Sequence, residues 1–273
     1  PALFNKADMI QTQRTLNEDV RMNFEGESGD FAEGHNLYGM LMSEATMEGF
    51  RQAGDRRPFV LTRSTYAGGQ KFAAVWTGDN VATWEHLRIA NYQCQNLALS
   101  GFSFAGSDIG GFVGNPDGEL FCRWLQLALF HPFFRNHSSK DFAEQEPWSF
   151  GEKWTDCARQ IIHWRYRLLG YIYTVFRRYV HEGIPMIKPV NFVHAKEKRP
   201  PCFDQFYLGD ALLAIPVMEP GQSGVRISLP EGYYYDVNSA RQFIGNNDYF
   251  IRVKMDAAPA LLKGGHILPI WPA

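Results

Sequence analysis

Four side chains suited to polar chemistry follow short apolar runs at separate points in the chain: Arg63, Asp79, Asp108 and His137. Asp79 lies in Trp76-Thr-Gly-Asp-Asn80, so a carboxyl stands beside a tryptophan at the end of an apolar run. A carboxyl partly withdrawn from water has the setting a general acid needs near neutral pH. The same residue could instead cap the next helix, a role aspartate fills well. Asp108 lies within Gly106-Ser-Asp-Ile-Gly-Gly-Phe112, where glycines permit either a tight turn or close approach of a ligand. Arg63 offers a rigid fork of donors to a carboxylate or to hydroxyl groups, and a structural ion pair is its plainer use. His137 could bond a hydroxyl or simply complete the interior. Each residue is ambiguous alone. Their recurrence after successive apolar runs argues for one shared site.

The elements that would carry them alternate. Residues 1–34 are polar and read as loop, and His35–Gln52 has the apolar spacing of a helix. Pro58–Arg63 and Lys71–Trp76 are strand-like, a helix is predicted over Trp84–Leu99, and Gly101–Ala105 is again strand-like. Asn115-Pro116 suggests a cap and first-turn proline for a helix from Asp117 to Phe130, and Pro132–Phe134 leads into Arg135-Asn-His137. A long helix follows from about Thr155 to His181, with Arg165 inside its apolar stripe as a buried, paired arginine. Strands alternating with helices imply a parallel sheet with crossover connections. In a (β/α)8 barrel the active site gathers at the C-terminal ends of such strands. Four units make half a barrel.

Past Gly183 the texture changes to strand-like segments broken by Gly, Pro and Asn. The predicted fold class is therefore α/β: the second half of a (β/α)8 TIM barrel over residues 1–184, then a β-sandwich-like domain over 185–273. Pro1 without a leader, and an end within strand-like text at Trp271-Pro-Ala273, read as a segment of a longer polypeptide.

Composition narrows the chemistry. A formal charge of −2 gives no means of neutralising a run of phosphates, so a nucleic-acid partner is not expected. No apolar stretch reaches the roughly 20 residues of a membrane helix. Cys94, Cys122, Cys157 and Cys202 show no metal-type spacing, and no metal or other cofactor is expected. GxSxG, HExxH and phosphate-loop patterns are missing. The compartment is left open.

Taken in order, Arg63-Ser64, Ala74-Val-Trp-Thr-Gly-Asp-Asn80, Gly106-Ser-Asp-Ile-Gly-Gly-Phe112, Arg123-Trp124, Pro132-Phe-Phe-Arg-Asn-His137, Arg165-Tyr-Arg-Leu-Leu169, Gly209-Asp-Ala-Leu-Leu213 and Lys263-Gly-Gly-His-Ile-Leu-Pro269 resemble glycoside hydrolase family 31. That family holds α-glucosidases, α-xylosidases and α-transglucosylases. The resemblance implies that Asp79 is the acid/base of a retaining double displacement on α-glucosides. It implies that Arg63, Trp76, Asp108, Phe112 and His137 line the subsite for the non-reducing sugar. The family's nucleophilic aspartate precedes text like Pro1-Ala-Leu-Phe-Asn5, so it is expected from outside this segment, supplied with the N-terminal half of the enzyme in the same or a separate chain. Asp8, Asp19 and Asp30 are not candidates for it. Some lumenal members have a cysteine where Gly110 stands, so Cys122 is expected to lack that partner. A non-catalytic sugar-binding module and a purely structural subunit are the rival readings.

Overall fold

The computed structural model describes residues 19–24, 26–54, 56–197, 200 and 202–272; the Pro1–Asn5 text and Asp8 lie outside them. The described residues form two compact units that divide between Asp79 and Asn80.

In the first unit, β1 (Arg21–Phe24) and β2 (Glu27–Asp30) pair antiparallel, with Arg21 opposite Asp30. This hairpin lies where the sequence suggests loop. Its strands are largely polar, so no apolar alternation announces them; the turn rests on Gly26 at φ +104°, whose N–H donates to Asn23 Oδ1 at 2.6 Å. Asp30 then caps α1 (Phe31–Ala53), accepting from the Glu33 N–H at 3.0 Å while Glu33 reaches back to the Asp30 N–H. That reciprocal cap starts the helix before the apolar periodicity does. β3 (Leu61–Thr62) and β4 (Ala74–Trp76) pair in parallel, Leu61 opposite Ala74.

The second unit opens with α2 (Trp84–Leu99), over the predicted span. Its cap is Thr83, whose hydroxyl accepts from the His86 N–H at 3.2 Å, so Asp79 is not spent there. After β5 (Ala105–Gly106) and β6 (Asp108–Ile109) comes α3 (Gly118–Ala128). Its cap is Asp117, accepting from the Leu120 N–H at 2.8 Å, and not Asn115 as the sequence suggests. Asn115 Oδ1 accepts from the Ala143 N–H at 2.8 Å instead. β7 (Arg135–Asn136) runs parallel to β6, and α4 (Glu152–Glu182) ends at Gly183, whose φ of +70° suits glycine.

The face of α4 formed by Ala158, Ile161, Leu168, Ile172 and Val175 is buried, with Arg165 in its midst. Arg165 is paired as expected, but with carbonyls: it donates to the oxygens of Leu129 (2.8 Å), His131 (2.6 Å) and Pro132 (2.7 Å). Beside it, His131 is fully buried against the Phe206 ring, and neither ring nitrogen bonds a described protein group. Burial, reinforced by the Arg165 charge, pushes its pKa down to about 3. The unfolded chain, near 6.5, binds the extra proton first, so this histidine removes stability as pH falls from about 6.5 toward 3. Linkage puts that loss at about 2 kcal/mol by pH 5. A His131→Phe variant should lose correspondingly less stability between pH 7 and pH 5 in urea titrations; equal losses in both proteins would contradict the assignment.

The C-terminal part is built on a six-stranded antiparallel sheet in the order β13 (Gln242–Ile244), β12 (Tyr233–Asp236), β15 (Ala260–Lys263), β10 (Leu212–Ala214), β9 (Phe206–Leu208), β8 (Ile187–Pro189). A separate antiparallel pair joins β11 (Gly224–Ser228) to β14 (Asp248–Arg252). Alternate residues take opposite faces. Phe206, Leu208, Leu212, Ala214 and Ala260 enter one core with Leu87, Phe121, Trp124 and Ile161 of the helices. Tyr207, Leu213 and Leu261 enter a second core with Val225, Ile227 and Ile251. Burial on both faces explains why Ala211–Val217 is a continuous apolar run. Among the described residues, no helix is long and apolar enough to cross a membrane.

Candidate active site

In the first unit, Arg63 leaves the end of β3 and Trp76 closes β4. The chain then turns through Gly78, at φ +80°, to deliver Asp79. Arg63 Nη1 donates to Asp79 Oδ2 at 3.0 Å. A Cβ on Gly78 would be in ordinary contact with Arg63, 3.4 Å from Nε, so it is the backbone turn that calls for glycine. The Asp79 side chain is 13% exposed against 47% for Arg63: a sheltered carboxylate is met by an arginine reaching in from water. Trp76 is half-buried.

In the second unit, Asp108 comes two residues after β5, as the sequence suggests, and itself opens β6 opposite Arg135 of β7. Its side chain is fully buried, and Arg135 Nη2 donates to Oδ1 at 2.5 Å. A strand residue pointing inward with a charge needs such a partner, and the neighbouring strand supplies it. The chain next turns through Gly110 and Gly111. A Cβ on Gly111 would meet the Ala82 nitrogen at 2.6 Å, so two backbones touch where only glycine fits. Across this approach the Phe112 N–H donates to the carbonyl of Asn80 at 2.7 Å, and the Ala82 N–H to that of Val113 at 2.7 Å. The Phe112 ring lies 5.1 Å from the imidazole of His137, tilted by 32°. His137 is exposed just past β7.

The structure thus joins Arg63 to Asp79 and Phe112 to His137, while Asp108 is joined to Arg135. Three contributors were not singled out from the sequence. Arg135 sits inside a quoted motif, and its charge in a short strand was the available signal. The Asn80 carbonyl, which anchors Phe112, and the buried Gln145 gave none. Trp124 Nε1 donates to Ser107 Oγ at 2.8 Å from inside the core, fixing the residue before Asp108. A Cβ on Gly110 would face Gln145 and Phe121, and the Cys122 thiol donates to the Trp154 carbonyl at 3.7 Å. Cys94, Cys122 and Cys157 are free thiols. Among the described residues, no group of three His, Cys, Asp or Glu side chains could hold a metal ion. In the first unit a sheltered carboxyl meets a guanidinium fork, and in the second an aromatic face meets an imidazole.

A profile for the "Glycosyl hydrolases family 31 TIM-barrel domain" matches residues 4–175, and one for the "Glycosyl hydrolase family 31 C-terminal domain" matches residues 183–268. The chain belongs to glycosyl hydrolase family 31. Its parts are accordingly family 31 barrel followed by family 31 C-terminal domain, the α/β-then-β order read from the sequence. Neutral alpha-glucosidase AB of Mus musculus is 41% identical over 242 residues, covering 87% of this chain and 26% of that protein. Among solved structures, the glucosidase II alpha subunit in its alpha3-Glc2-bound form matches with a TM-score of 0.83 and 38% identity, over 87% of this chain and 27% of that one. A family 31 alpha-xylosidase from a soil metagenome, complexed with xylose, matches at 0.82 and 28% identity, over 88% and 39%. The chain spans about a quarter of the length of the curated alpha-glucosidases it matches first.

Proposed function

We propose that this family 31 segment supplies the acid/base half of a retaining, exo-acting α-glucosidase that releases non-reducing terminal α-linked glucose. The observation that carries the reading is the Arg63–Asp79 pair, a sheltered carboxylate bonded at 3.0 Å by an arginine that reaches solvent. In the first half-reaction Asp79 gives its proton to the glycosidic oxygen while a carboxylate from outside these 273 residues attacks C1. As the proton leaves, negative charge develops on Asp79, and Arg63 is within reach to meet it. In the second half-reaction the Asp79 carboxylate takes a proton from water, which displaces the enzyme's nucleophile from C1. Sugar binding is assigned to Phe112, His137 and Asp108 of the second unit, and to Arg63 and Trp76 of the first, as the family motifs imply. Glucose is favoured over xylose because the relatives at 41% identity are alpha-glucosidases.

The test is stereochemical. With the full-length polypeptide that contains this segment and an aryl α-glucoside, proton NMR should show α-glucose forming first and β-glucose appearing only by mutarotation. β-Glucose as the first product would overturn the mechanism, and absence of turnover on α-glucosides would overturn the assignment. Retention requires two carboxyl groups ~5–5.5 Å apart.

A further inference from the structure

The wall proposed to receive the sugar is assembled from two separate stretches, the Asp108–Phe112 loop and the β7 end that carries His137. Resting on the reading just given, we infer that Gln145 is the positioning residue that locks these stretches together and so sets the subsite's shape. Gln145 is buried, with 3% of its surface exposed. Its Nε2 lies 2.7 Å from the Ile109 carbonyl, 3.2 Å from that of Gly111 and 3.1 Å from Asn136 Oδ1. Asn136 returns the contact, donating from Nδ2 to the Gln145 carbonyl at 2.6 Å. One amide group therefore bridges the residues preceding Phe112 and the residue preceding His137.

The loop geometry is fitted to this clamp. Gly110 has φ +86°, and a Cβ there would come 2.7 Å from Gln145 Nε2, so the amide fills the space a side chain would take. The Ile109 and Gly111 carbonyls on either side of Gly110 converge on this one amide, and removing it takes both bonds from a buried site. Three acceptors around Nε2 also fix which way the amide points. Gln145 does not act on the reacting atoms. It acts through Phe112 and His137.

The experiment compares the wild-type full-length polypeptide with Gln145→Met, which keeps the length and removes the donor. Phe112 and His137 contact the sugar in both ground and transition states, so KM for an α-glucoside should rise about tenfold with a smaller change in kcat. Gln145→Glu keeps the shape but sets an acceptor against the two carbonyls and should do at least as much harm. Methionine and wild-type enzymes with KM within twofold of each other would overturn the inference, as would equal losses confined to kcat. Should both variants fail to fold, Asn136→Ala removes the exposed arm of the same clamp; a several-fold rise in KM is expected, and an unchanged KM overturns the inference. A wild-type protein inert on α-glucosides would instead sink the functional reading itself, so the two failures are distinguishable.

Discussion

Asp79→Asn should lower kcat on an α-glucoside with a poor leaving group, such as maltose, by about a thousandfold, the ordinary worth of a positioned proton carrier. Asparagine keeps the size and can still sit beside Arg63, so folding is not the reason for the loss. The size of the loss should depend on the leaving group. A nitrophenolate departs without protonation, so the first half-reaction survives and the glycosyl-enzyme accumulates, because no base remains to activate water. Azide needs no such base, and adding it should restore turnover and give a glycosyl azide with retained configuration. Equal losses on both substrates with no response to azide would remove Asp79 from the proton-carrying role.

Arg165→Met should destabilise the chain by about 3–5 kcal/mol, because three buried carbonyls lose their only shared donor and the hole left is polar. Arg165 is 7% exposed and donates to Leu129, His131 and Pro132, the link between α3 and the strand that leads to His137. Burial lowers its pKa to about 10, so it is still charged at neutral pH and pays for its desolvation through these three bonds and a contact 5.2 Å above the Phe134 ring. A fall in melting temperature of about 10 °C is the expected readout for a domain of this size. A fall of only a degree or two would show that water replaces the guanidinium at no cost.

The helices were legible wherever an apolar stripe ran with a period near 3.6. Trp84–Leu99 is recovered over its predicted span, and Arg165 was identified as buried because it interrupts the stripe of α4. What failed was polar and local. The β1–β2 hairpin carries no alternating apolar signal, and the true cap of α3 is the residue just after the Asn-Pro pair that imitates one. The strands shrank for a different reason: in Pro58–Arg63 the pairing with β4 covers Leu61 and Thr62, and side-chain type does not reveal ladder ends. Among the candidate residues, Arg63, Asp79, Asp108 and His137 were legible as polar types after apolar runs, and Phe112 only through the family motif. The clamp at Gln145 was not, because a glutamine bonded to two main-chain oxygens looks in sequence like any surface residue.

The six-stranded sheet has one further consequence, for inheritance. Phe206, Leu208 and Leu212 are spent on the helices, while Tyr207, Leu213 and Leu261 are spent on the smaller β pair. A recombination joint placed between α4 and β8 would strip the helices of their floor and hand the recipient a slab with one greasy side. Gene shuffling can therefore lend this β region to an unrelated catalyst only by sending the helical layer along as baggage.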